Sequence, residues 1–329
     1  MLVDPFGRRH DYLRVSVTDR CNLRCLYCMP EEEGVDWVDR EDLLRFEEIE
    51  RVARTLVPAG IRKIRITGGE PFARRNVVDL LEALGRIDEL ETLAITTNGV
   101  LIAPHIERLV GTIDAYNISL DTFDRARFAE LTGRDRFDDA MAGIEGVLAA
   151  GYRNLKINCV VMRGVNDREI LDFARFACEH PVAVRFIEFM PFAGNAWSED
   201  RCVTMAEILA EIGREYEYES IPPDEAPISR DFRLRSRADG SRSLGTVGVI
   251  ASMSTPFCSS CSRLRLTAEG MVMPCLHSPL EFDLRSVLRS GGTPDDILRL
   301  FADALAEKPE EHGEAEELAA GRVMIRIGG

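Results

Sequence analysis

The sequence predicts an α/β protein whose parallel sheet curls into an incomplete barrel. Three observations carry that prediction. Short strands rich in Ile, Val, Leu and Thr alternate with helical patterns up to about Pro191, each strand sets apolar against polar residues with period two, and the polar sides carry Arg and Lys. Units of strand and helix in series give parallel strands joined by right-handed crossovers. With 329 residues, 45% of them apolar, the chain can fill a core large enough to enclose a site.

Strands are predicted at Leu13–Thr18, Ile61–Thr67, Thr92–Thr97, Tyr116–Asp121, Leu155–Val161 and Val182–Glu188. Helices are predicted between them at Arg40–Leu56, Arg75–Leu84, Pro104–Val110, Arg125–Leu131 with Asp138–Ala150, and Asp167–Cys178. In the first strand Leu13, Val15 and Val17 oppose Arg14, Ser16 and Thr18, and in the second Ile64 and Ile66 oppose Lys63, Arg65 and Thr67. The same alternation sets Tyr116, Ile118 and Leu120 against Asn117, Ser119 and Asp121, and Leu155 and Ile157 against Lys156 and Asn158, while Arg185 sits among apolar neighbours. Successive side chains of a strand point to opposite sides, so helices covering the apolar face leave the polar faces to converge inside. An eight-stranded barrel fills its interior with apolar layers; a cationic interior points instead to a wider, incomplete (β/α)6 TIM-type barrel that holds a ligand. Buried cations also need a counter-charge. The competing arrangement is an open sheet whose polar face meets solvent.

After Pro191 the rhythm changes. Cys202–Arg214 reads as an exposed helix, Glu215–Arg230 as a polar connector, Gly245–Ala251 as a short strand and Asp295–Glu307 as an amphipathic helix. The acidic run near Lys308–Glu317 reads as a solvated face or mobile segment. A soft boundary near residue 215 separates a barrel, residues 1–215, from a smaller C-terminal extension, residues 216–329, that need not fold alone.

Against 41 Lys and Arg stand 56 Asp and Glu, a formal net charge of −15, which argues against a nucleic-acid polymer as partner but not against one small anionic ligand. No apolar run approaches a membrane span and the N-terminal stretch lacks the apolar segment of a signal peptide, so a cytoplasmic location is expected. Nine cysteines in such a chain point to metal ligands, catalysts or buried thiols rather than disulfides.

Cys21, Cys25 and Cys28 form C-x3-C-x2-C on the loop after the first strand, where β/α folds place their chemistry. Structural zinc takes four protein ligands and none is offered locally beyond these three, so a thiolate-held centre with an open position, such as an iron–sulfur cluster, is the natural reading. A second set, Cys258, Cys261 and Cys275, forms C-x2-C-x13-C, and His277 is placed where it could complete a zinc site. Cys159, Cys178 and Cys202 stand alone and read as small apolar residues.

The loop Cys21–Cys28 resembles the signature of the radical S-adenosylmethionine (SAM) superfamily, and Thr67-Gly68-Gly69-Glu70-Pro71 resembles its SAM-binding motif. Together with Cys258, Cys261, Cys275 and the final Gly328-Gly329, the whole chain resembles the GTP 3′,8-cyclase family of molybdenum-cofactor biosynthesis, least so at about Asp224–Ser243 and Asp295–Gly321. The resemblance implies a partial barrel of the radical SAM kind with a C-terminal extension, two 4Fe–4S clusters held by the two cysteine sets, and SAM on the open iron of the first. Tyr27, Gly68, Gly69, Glu70, Ser119 and Met190 would then contact SAM. GTP would lie between the clusters on Arg14, Lys63, Arg65, Thr96, Lys156, Arg185, Arg263, Leu264 and Arg265. A 5′-deoxyadenosyl radical would take the ribose C3′ hydrogen, and C3′ would close on C8 of guanine. Arg263, Arg265, Gly328 and Gly329 would serve the cyclisation, the tail by entering the site. The implied partners are an electron donor of flavodoxin or ferredoxin type and, in the pathway, cyclic pyranopterin monophosphate synthase, with a homodimer left open. The competing functions are a peptide-modifying radical SAM enzyme with an auxiliary cluster, and a non-catalytic iron–sulfur or zinc protein.

Overall fold

Strand β1 (Tyr12–Ser16) leads to helix α1 (Phe46–Leu56), and the step repeats through β2 (Lys63–Thr67), α2 (Val77–Gly85), β3 (Thr92–Thr97), α3 (Ile106–Leu109), β4 (Ala115–Ser119), α4 (Arg125–Thr132), α5 (Phe137–Ala149), β5 (Leu155–Val161), α6 (Ile170–Glu179) and β6 (Ala183–Glu188). These are the six predicted units. The computed structural model describes residues 2–29, 37–222, 228–313 and 323–328. After β6 come α7 (Met205–Ile212), β7 (Tyr216–Ser220), β8 (Arg230–Ser236), β9 (Thr246–Ile250), β10 (Arg263–Leu266), β11 (Met271–Met273), β12 (Phe282–Asp283), α8 (Leu284–Arg289), α9 (Pro294–Ala306) and α10 (Met324–Ile327). Local chemistry fixes several starts. The Asp124 carboxylate accepts from the Arg127 N–H ahead of α4, and Thr204 with Glu207, and Thr293 with Asp296, form reciprocal capping boxes at α7 and α9.

All strands join one sheet in the order β12-β11-β10-β1-β2-β3-β4-β5-β6-β9-β8-β7. Strands β1 to β6 are parallel, and the C-terminal part adds a further parallel strand on each side, β10 beside β1 and β9 beside β6. Antiparallel strands then extend both ends. The sheet therefore runs continuously across residue 215. Leu13, Val15, Ile64, Ile66, Ile118, Ile157 and Val184 are fully buried against the helices, as the alternation requires.

The polar face is the inside of a curl. In a flat sheet β1 and β6 would stand about 24 Å apart, yet the charge of Arg185 on β6 acts on Lys63 of β2 and couples to Tyr12 of β1. Among the described residues no helix is long and apolar enough to cross a membrane.

Three expectations need correction. The connector Glu215–Arg230 contains β7, whose Glu and Tyr residues alternate on a sheet margin and so look like loop. Helix α7 is not merely exposed: Ile208 and Ile212 are buried. Lys308 at the head of the acidic run is buried rather than solvated, whereas Pro309, Glu310 and Glu311 are exposed, the backbone of the first two accepting from the Arg8 guanidinium at 2.7 Å. Residues 314–317 of that run lie outside the described residues.

Candidate active site

Register arranges the inward cations in rows. Tyr12 pairs with Lys63 on one side and Arg263 on the other, and Arg14 pairs with Arg65 and Arg265. Because period two keeps these side chains on one face, two adjacent rows of the curl carry Lys63, Tyr12, Arg263 and then Arg65, Arg14, Arg265. Lys156 on β5 and Arg185 on β6 complete seven cations, and Lys156 feels Arg185, Arg65 and Lys63. Burial and those like charges hold Lys156 down to about 7, and burial with the charges of Arg65 and Arg263 holds Arg14 down to about 10. Thr96 meets Arg65 at 3.4 Å, and Leu264 is buried on the opposite face. Seven cations crowded in a buried site with far fewer carboxylates beside them are what a polyanion would relieve.

The next row holds the tail. Arg265 donates to the Gly328 carbonyl at 2.9 Å and the Thr67 hydroxyl lies 3.4 Å from it, while Ile325 and Ile327 are buried. Gly328 has φ +76°, and a Cβ there would stand 2.7 Å from Ser16 Cβ and 2.8 Å from Thr67 Oγ1, so only glycine fits. Gly329 lies outside the described residues.

Cys21, Cys25 and Cys28 sit beyond the C-terminal end of β1. Backbone bonds from Cys28 and Met29 to the Cys25 carbonyl, 3.0 and 2.9 Å, turn the loop. Desolvation pushes Cys21 up to about 11, Cys28 up to about 12, and Cys25 also upward, with mutual repulsion adding to Cys25 and Cys28. Three soft sulfur donors that resist ionisation until a cation arrives fit an iron–sulfur cluster, which binds thiolate. The Asn98 amide approaches Cys21 Sγ at 3.7 Å. Cys258 and Cys261 lie before β10, which is parallel to β1, and Cys275 follows β11, which is antiparallel to β10, so the two cysteine sets lie on opposite sides of the cation rows, toward opposite ends of the strands. Arg263 and Lys308 overcome the burial of Cys261 and pull its thiol down to about 7.

Gly68 and Gly69 pack directly against the backbone that leads into the cysteine loop. A Cβ on Gly68 would lie 2.8 Å from the Thr18 carbonyl oxygen, and one on Gly69 would lie 2.4 Å from that of Arg20. Gly69 N–H donates to Thr18 O at 2.6 Å and Glu70 N–H to Arg20 O at 2.8 Å, which ties the turn to the start of the cysteine loop. Glu70 itself is buried and accepts from Phe72 N, Thr97 Oγ1 and Asn98 N at 3.1, 2.8 and 2.7 Å. Desolvation outweighs those bonds and raises its carboxyl to about 7. Tyr27 donates to Asp121 at 2.8 Å and, with Ser119, lines a cleft beside Cys25; Met190 packs near Phe192 and Ile327.

Several participants escaped the sequence reading. Asp231 on β8 pairs with Arg185 at 3.3 Å across β9, where the facing residue is Gly248. Lys308 donates to the carbonyls of Arg263 and Pro274. Glu188 is fully buried and accepts from the backbone of Met205, Met253 and Ser254, holding the loop that leads to Cys258. Among the described residues, Asn117 Oδ1, Asn158 Oδ1 and Arg185 Nε are buried without a hydrogen-bond partner on the inner face, capacity that a ligand would meet.

The Radical SAM superfamily description matches residues 15–177, and that of Molybdenum Cofactor Synthesis C matches residues 182–314. The chain is 42% identical over its whole length to a GTP 3′,8-cyclase of Heliobacterium modesticaldum, all of which it covers. The chain belongs to the GTP 3′,8-cyclase family. It is also 42% identical to the mitochondrial GTP 3′,8-cyclase of Arabidopsis thaliana, covering 84% of that protein. The fold matches that of Streptococcus suis SuiB bound to S-adenosylmethionine, with a TM-score of 0.64 at 14% identity over 93% of this chain and 77% of that one. As a radical SAM enzyme family, the cyclases imply a 4Fe–4S cluster and SAM.

Proposed function

We propose that the chain converts GTP to its 3′,8-cyclised dihydroguanosine triphosphate, an early step of molybdopterin biosynthesis, with SAM and two 4Fe–4S clusters. The observation that carries this is the pair of cation rows running between the two cysteine sets. Cys21, Cys25 and Cys28 hold the first cluster, and Cys258, Cys261 and Cys275 the second. When bound, the first cluster and SAM supply one-electron chemistry that yields a carbon radical, the electron coming from an external donor. The remaining work belongs to the chain. Arg14, Lys63, Arg65, Lys156 and Arg185 neutralise and orient the triphosphate, the guanidinium groups through paired hydrogen bonds. Arg263 and Arg265 face the nucleotide from β10, and Arg265 also anchors the tail. Tyr27, Ser119, Met190 and the turn Gly68-Gly69-Glu70 line the SAM side. Holding C3′ and C8 in reach of each other, in a curl that excludes water, keeps a reactive intermediate on one path.

Anaerobic reconstitution with iron and sulfide, followed by SAM, a reductant and each nucleoside triphosphate, tests the reading. GTP alone should give a cyclised product together with 5′-deoxyadenosine. Deoxyadenosine without any GTP-derived product refutes the assignment. Replacing Arg263 or Arg265 should abolish cyclisation and leave slow SAM cleavage.

A further inference from the structure

Tyr12 occupies an unusual position in the cation rows. Its register partners on both neighbouring strands are cations, Lys63 and Arg263, and the next inward residue along β1 is Arg14, flanked by Arg65 and Arg265. The phenol is buried, its oxygen accepts from Arg65 Nε at 2.5 Å, and the Lys63 ammonium stands 4.9 Å from the ring centre. Arg14 also bonds to it.

We propose that Tyr12 is the internal counter-anion of this cation wall: its phenolic oxygen positions the Arg65 and Arg14 guanidinium groups while the site is free, and takes up a proton when a triphosphate lies there. The inference rests on the nucleotide reading above. A tyrosine suits the task because it can be an anion among cations and a neutral hydrogen-bonding group beside phosphates, whereas a carboxylate would repel the incoming anion. The groups facing it are the cations of β1, β2 and β10 just named and, from β6, Arg185. The nearby acids are Asp11, which acts on Lys63, and Asp231, which is engaged by Arg185. Burial alone would raise the phenol, but Arg65, Arg14 and Lys63 together bring it down to about 7. Bound phosphates cancel those charges and return it toward its ordinary range near 10.

The test is calorimetric titration of GTP, without reductant or SAM, into the anaerobic cluster-loaded enzyme at about pH 8.5, where the nucleotide phosphates are already ionised. Two buffers of different ionisation enthalpy give the protons taken up. The wild-type chain should take up protons, and Y12F should take up fewer by as much as about one per GTP, keeping only the share of Lys156, which is also neutral at that pH. As a second readout, the wild-type Kd should rise with pH more steeply than that of Y12F. GTP binding with no proton uptake in the wild type, or with equal uptake in Y12F, overturns this inference alone. Absence of GTP binding overturns the nucleotide reading with it.

Discussion

Gly248 lies in the row Arg185, Gly248, Asp231 that crosses β6, β9 and β8. A glycine inside a strand ordinarily costs about 0.5–1 kcal/mol relative to alanine, so G248A would be expected to stabilise. Here the added Cβ would stand 2.2 Å from Asp231 Oδ1, and the carboxylate must leave its 3.3 Å contact with Arg185. The Arg185 side chain is only 13% exposed and that of Asp231 30%, so about 1–2 kcal/mol of charge-assisted bonding goes with it. Overpacking adds roughly 1–3 kcal/mol. The net expectation for G248A is a loss of about 1–4.5 kcal/mol, centred near 3, which at an m-value near 3 kcal/mol/M lowers the urea midpoint by about 1 M. In a D231A background the obstacle is gone, and G248A should become neutral or stabilising by up to about 1 kcal/mol. Anaerobic urea unfolding of the four proteins in this cycle should show a coupling above about 2 kcal/mol. Additivity to within about 0.5 kcal/mol would refute the reasoning, because the penalty would then not run through the carboxylate.

The carboxyl of Glu70, raised to about 7, makes the folded chain bind more protons than the unfolded one between its ordinary range and pH 7. Stability of the cluster-free chain should therefore fall as pH rises through that window, by about 3 kcal/mol in total, and E70Q should flatten the profile in pH-dependent unfolding. G69A should cost roughly 1–3 kcal/mol by forcing the turn off the Arg20 backbone, and should lower iron content at the first cysteine set as measured by elemental analysis. K308M removes one of the two cations that hold down Cys261, so the pH midpoint for alkylation of that thiol in cluster-free protein should move upward from about 7.

The six βα units were legible because most of the strands repeat one binary pattern and, after the long cysteine loop that follows β1, helices and strands alternate at short distances. Predicted strand boundaries fall within about two residues of the observed ones. The inward cations followed from the same alternation. Partners supplied by later strands did not, since nothing in the segment Arg230–Ser236 says that it lies two strands from Arg185. Its alternation of Phe232 and Leu234 with Asp231, Arg233 and Arg235 was the available signal, together with a lone glycine in the apolar run Thr246–Ile250. Tyr12 was legible in principle, being two residues before Arg14, but an aromatic residue at a strand start reads as core. Lys308 was misread because charge within an acidic run normally means solvent, whereas its ammonium is turned in to two backbone carbonyls.

Joining β10 to β1 also has a consequence for how the chain is made. The edge of β1 is complete at Ser16, but the strand that covers it begins at Arg263. At ribosomal rates of about 5–20 residues per second, the intervening stretch of about 250 residues takes roughly 12–50 seconds to emerge. Over that interval the nascent barrel presents an unpaired parallel edge, a contact of high sequence separation that closes late and slowly. Chaperone demand during synthesis should accordingly be concentrated before the last fifth of the chain appears.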